Sequence, residues 1–111
     1  MPADPPAMTF VDDLAAAVPV QDEATVSRTV LTSTGARVVV FSFDAGQELA
    51  EHTAAVPVLL QVLDGHLRIT ADGRTVNLHS GGLVHLGPRV PHAVDAVSPS
   101  RLVLTLLDGS R

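Results

Sequence analysis

From Ala24 to Asp108 the chain is a succession of short runs rich in β-branched and aliphatic residues, broken by turn formers at intervals too short for helices. The spacing predicts strands near 25–33, 36–44, 48–53, 57–64, 66–71, 74–79, 83–87, 92–97 and 101–108. The breaks fall at Thr34-Gly35, Asp44-Ala45-Gly46, Asp64-Gly65, Ala71-Asp72-Gly73, Ser80-Gly81-Gly82, Gly87-Pro88 and Ser98-Pro99-Ser100. Each contains a residue that tolerates positive φ or fixes φ for a turn. Asp72-Gly73 is the strongest hairpin signal, since Asp-Gly suits a type I′ turn. Such a pattern calls for an all-β domain.

Two shorter pieces precede the strands. Residues 1–7 hold three prolines and no apolar periodicity, so they read as a flexible N-terminal arm. Asp12 and Asp13 stand before Leu14-Ala15-Ala16-Ala17-Val18, where the start of a helix favours acidic groups, and Pro19 ends the stretch. One or two helical turns packed on the sheets are expected. At 111 residues the chain suits one continuous core, here assigned to residues 8–111.

That core must be aliphatic, because the chain has three Phe and no Trp or Tyr. Arg37 to Phe43 and Val56 to Leu63 are apolar at successive positions, which predicts strands covered on both faces. The inner face of a small barrel meets its own core, so the outer one is expected to meet another sheet or another subunit, and a homodimer is the expectation. The formal net charge is −5 and the seven basic residues, all Arg, are scattered, which argues against a nucleic-acid partner. There is no cysteine, hence no disulfide or thiolate chemistry, and MPADPPAMTF lacks the features of a secretory signal. No apolar run approaches the roughly 18 residues of a membrane span. A cytoplasmic protein with no membrane association is the expectation.

Two segments carry the motif information: Gly46 to Gly65, with His52 between the glycines, and Gly81 to His92. Together they resemble the two signature motifs of the cupin family. The first motif is Gly, five residues, His-x-His, three or four residues, Glu, six residues, Gly; Gly46, His52 and Gly65 match it. The second is Gly, five residues, Pro-x-Gly, two residues, His, three residues, Asn; Gly81 and His92 match. The resemblance implies a single double-stranded β-helix, or jelly-roll, barrel with a short N-terminal helix. It also implies a divalent transition metal, Fe, Mn, Ni or Zn, with His52 and His92 as ligands. Ala54 and Val58 occupy the second-histidine and glutamate positions, and Gly87, Arg89 and Ala96 occupy the Pro, Gly and Asn positions of the second motif.

Two imidazoles fall short of the three protein ligands that structural or catalytic metal sites of this kind normally need. Candidates for a third are His85, Gln61, Glu48 and Glu51. Alternation along a strand puts Leu60 and Val62 on the face of Val58 and Gln61 on the other. By the same rule Glu51 faces away from His52, whereas Glu48 shares its side. A loop with Pro88 and Pro91 separates His85 from His92, so alternation leaves the direction of His85 open. His66 and His79 flank turns and are expected in solvent, and the glycines at 46, 65 and 81 are expected to serve turns.

Other chemistries find no support, since there is neither a G-x-S-x-G elbow nor a glycine-rich phosphate loop. Replacing an imidazole and a carboxylate with Ala54 and Val58 makes the expected pocket more apolar. The expected site is therefore a barrel pocket lined by His52, Ala54, Val58, Leu60, Val62, His85 and His92, holding a small, partly apolar molecule without established catalysis. A metal-dependent oxygenase, isomerase or lyase, and an effector-sensing module, are the alternatives that the resemblance implies.

Overall fold

The structure is a computed structural model and describes residues 7–108. Of the arm expected over 1–7, only Ala7 is among them, and it is exposed. Asp13 caps the single helix α1 (Leu14–Ala17), its Oδ1 accepting from the Ala15 and Ala16 amides at 3.1 and 3.3 Å. The described residues form nine strands, β1 (Thr25–Ser33), β2 (Ala36–Phe43), β3 (Glu48–His52), β4 (Val58–Asp64), β5 (His66–Ala71), β6 (Arg74–His79), β7 (Leu83–Leu86), β8 (His92–Ala96) and β9 (Ser100–Leu107). Each lies within a residue or two of its expected bounds.

All pairings are antiparallel, in a five-stranded sheet of order β1-β2-β9-β4-β7 and a four-stranded sheet of order β3-β8-β5-β6. The two sheets close on one aliphatic layer. Val58, Leu60 and Val62 of β4 meet Leu67 and Ile69 of β5, Val94 of β8 and Leu102 of β9, all at most 1% exposed. Alternation explains the pattern: Leu59 and Gln61 take the opposite side, and Gln61 is exposed.

A second, smaller cluster lies outside the barrel, where Val18 packs on Val40 of β2 and Val103 of β9 with Leu14 and Ala17 beside them. The buried Ser42 hydroxyl donates to the Val18 carbonyl and pins this segment to the sheet. Part of the outer face of β2 and β9 is thus covered by the N-terminal segment of the same chain. At the entry to β1, Asp44 accepts hydrogen bonds from the Glu23 and Ala45 amides, both 2.8 Å long. These two bonds hold its carboxyl below the ordinary carboxylate range.

The turn at Gly65, between β4 and β5, has no room for a side chain. Its φ is +93°, and a Cβ there would overlap Ser100 Oγ and the Pro99 carbonyl oxygen. Ser100 is fully buried and holds the crossing together, its Oγ accepting from the His66 amide at 2.9 Å and donating to the Ser98 carbonyl at 2.7 Å. Gly65→Ala should lower the unfolding free energy by at least about 2 kcal/mol, combining left-handed strain with a backbone clash. Gly73→Ala, with φ of +71° but open space around it, should lose only about 1 kcal/mol. Urea unfolding of both variants checks the difference; equal losses would remove the role given to the close approach.

Candidate functional site

His52 ends β3 and His92 begins β8, and their Cα atoms are partners across the sheet. Partners in an antiparallel pair project to the same face, so the two imidazoles meet, with ring centroids 4.2 Å apart and planes inclined by 59°. The meeting depends on an irregularity in β3. Leu49 pairs with Val94, so a regular ladder would bring Glu51, not His52, opposite His92; the register instead shifts between Leu49 and His52. One residue of β3 is left over, which is the defining property of a β-bulge, and it returns His52 to the side on which Leu49 packs into the core.

The bulge also corrects the parity assigned to Glu48. It pairs with Asp95 and is exposed, on the side opposite to Leu49 and His52. Glu51 is exposed too. His85 is the Cα partner of Leu59 and exposed, between Val84 and Leu86, which pack on the core. The structure does not bring His85 to His52 and His92, and it is corrected from possible ligand to outer-face residue.

Each imidazole is fixed by the same local device. His52 Nδ1 lies 3.0 Å from the Ala50 carbonyl oxygen and His92 Nδ1 2.9 Å from that of Val90. A carbonyl only accepts, so Nδ1 carries the proton in both neutral rings and Nε2 keeps its lone pair. His92 is 1% exposed and its Nε2 has no hydrogen-bond partner among the described residues. Leaving such an atom unsatisfied costs about 1–3 kcal/mol.

Beside the pair, at the barrel mouth, is a cavity of about 640 Å³. Its walls include His52, Ala54, Phe41, Leu104, Leu106 and Arg37. Val58, Leu60 and Val62 point inward as alternation requires, yet they belong to the packed core and not to the cavity wall, a correction to the expected lining. His92 lies behind His52 and is not part of the wall either. Arg37 is absent from the motif-based set because it precedes both motifs; its offsets of two and four residues from Val39 and Phe41 are the signal that places it on their side. The loops of the two motifs are joined at the mouth by a 2.7 Å bond from the Arg89 amide to the Ala54 carbonyl. Arg89 takes φ of +63° where the family pattern has glycine, so the turn is kept despite its Cβ.

Two antiparallel sheets around an aliphatic core, with facing histidines at one end, define a small β-barrel with an interior polar anchor. The family model described as Cupin domain matches residues 39–108, and the chain belongs to the cupin family. No protein in the search of curated proteins matches the chain. Among solved structures, a conserved protein of unknown function from Streptococcus pyogenes is 27% identical, with a TM-score of 0.81 over 94% of this chain and 91% of that one. An RmlC-like cupin protein from Desulfovibrio desulfuricans is 28% identical, with a TM-score of 0.80 over 91% and 97%. A salicylate 1,2-dioxygenase from Pseudoaminobacter salicylatoxidans shares the fold at 19% identity and a TM-score of 0.69, over 79% of this chain and 28% of its own.

The donor set decides whether a resident metal ion fits. His52 and His92 have the hydrogen-bonded Nδ1 and bare Nε2 typical of ligating imidazoles. Ala54 and Val58 supply no donor atom, and among the described residues no three His, Cys, Asp or Glu side chains gather closely enough to hold an ion. Two imidazoles leave the shell one or two protein ligands short, so the residues present do not fit a resident ion.

His92→Leu tests what the buried imidazole contributes. It removes the orphaned Nε2 and one hydrogen bond to Val90 while keeping an apolar group of similar size. The expected change in unfolding free energy is within about 1 kcal/mol of zero, or stabilising. A loss of more than about 3 kcal/mol in a urea titration would mean that His92 is a structural polar anchor satisfied in solution.

Proposed function

We propose that the mouth of this barrel binds a small, partly apolar molecule, with His52, backed by His92, as its polar anchor and no resident metal ion. The observation that carries the reading is His52 on the wall of a largely apolar cavity, its Nδ1 held by the Ala50 carbonyl and its ring against the buried His92. A concave apolar surface with a few convergent polar groups is the usual form of a small-molecule site. A bare Nε2 accepts, so the bound group nearest His52 is a donor such as a hydroxyl, or a water bridging to one.

The metal-dependent enzyme is the second reading, favoured by the ligand-like orientation of the two imidazoles. It would require the bound molecule to complete the coordination shell. Elemental analysis of protein purified without a tag separates the two: Fe, Mn, Ni and Zn should each fall well below one per chain. One transition metal per chain surviving gel filtration would overturn the first reading. A cavity ligand at about a hundredfold excess over its Kd should add about 2.7 kcal/mol, a rise in Tm on the order of 10 °C. That rise should disappear in His52→Ala.

We further propose a homodimer formed through the outer face of β4 and β7. Leu83 is 58% exposed there, and Leu59 shares that side of the sheet. Light scattering at high micromolar concentration should give twice the chain mass, and Leu83→Asp should return it to the mass of one chain. A wild-type protein that stays monomeric would contradict the proposal.

A further inference from the structure

Arg37 is a charged side chain on the side of the sheet where apolar ones prevail. On β2 it alternates with Val38 and Val40, which pack in the outer cluster, and shares parity with Phe41 and Phe43 of the inner one. Its Cα partners are Thr32 on β1 and Leu106 on β9, and Leu106 packs on the inner core. The register therefore turns Arg37 toward the barrel, where it lines the cavity at the opposite end of Phe41 from the core.

The ion pairs among the described residues are Arg68 with Asp95, at 2.7 Å, and Arg101 with Asp64, at 2.8 Å; neither involves Arg37. Arg37 is exposed and forms no hydrogen bond through its guanidinium among the described residues, which leaves the planar fork available to a carboxylate. Thr32, its partner across the strand pair, adds a hydroxyl on the same side. Among the described residues Arg37 is the one arginine on the cavity wall, so the mouth suits a single carboxylate placed there.

We propose that Arg37 is the specificity-determining residue of this barrel and that the ligand class is a small monocarboxylic acid with an apolar body. The inference rests on the reading that the mouth binds a small molecule. The carboxylate pairs with the guanidinium at the rim. The apolar body lies on Phe41, Leu104 and Leu106, and any hydroxyl at its far end donates to His52 Nε2. The pair is solvent-accessible, so it selects by charge and geometry while the apolar contact supplies the rest of the affinity.

The test uses the full chain and calorimetric titration with hexanoate, phenylacetate, 3-phenylpropanoate and 3-(4-hydroxyphenyl)propanoate, each beside its primary amide. At least one acid should bind about tenfold more tightly than its amide. The preference should shrink as NaCl is raised. Arg37→Gln should bring acid and amide to equal affinity, and Arg74→Gln, outside this cavity, should leave the preference intact. Both arginines are exposed, so both variants should fold, which the wild-type Tm within a few degrees verifies. Acids and amides binding alike, or an acid preference that survives Arg37→Gln, would overturn the role of Arg37 while leaving the binding site standing. No binding by any acid or amide would overturn the ligand class and also count against the binding reading on which it rests.

Discussion

Everything in this barrel depends on the aliphatic layer shared by its two sheets. Fully burying a Val or Leu side chain is worth about 1.5–3 kcal/mol, and β4, β5, β8 and β9 each contribute at least one residue at most 1% exposed. Against that sum, an imidazole with one unsatisfied nitrogen, costing about 1–3 kcal/mol, is affordable at the edge of the layer. His92 sits there, on the same strand and the same side as Val94 and Ala96. The packed layer also limits the cavity: Val58, Leu60 and Val62 are committed to the core and stay out of the cavity wall.

The bulge in β3 connects the scaffold to the site. Without it the inward position opposite His92 would belong to Glu51, and the barrel would hold an imidazole beside a carboxylate. With it, two imidazoles face each other, each oriented by a carbonyl two residues earlier in the chain. Neither has a neighbouring carboxylate to complete a metal shell. Of the two, His52 lines the cavity, and Arg37 stands on the same wall.

The strand pattern was legible because each break contains a residue chosen by backbone geometry. Gly35, Gly46, Gly65, Gly73 and Gly81 all take positive φ, and the strands between them follow from alternation and composition. The orientation of Gln61 was legible for the same reason. What alternation could not convey was the extra residue in β3, since a bulge leaves no composition signal in Glu48-Leu49-Ala50-Glu51-His52. It therefore misassigned Glu48. The direction of His85 was hidden by the loop to β8, where Arg89 adopts a left-handed conformation that residue type does not suggest. That the Leu14 to Val18 stretch packs on the sheets was legible from its apolar residues between Asp13 and Pro19; that it covers β2 and β9 in particular comes from a tertiary contact of Val18 and has no local pattern.

The proposed site requires imidazoles at His52 and His92 that are protonated at Nδ1 when neutral and whose Nε2 atoms bear no metal ion. Long-range proton–nitrogen correlation spectra of the imidazoles measure this directly. Both neutral rings should show the Nδ1–H tautomer with an unprotonated Nε2 that has the shift of a free lone pair. An Nε2–H tautomer for His92, or Nε2 shifts of metal-bound nitrogen in both rings, would contradict it.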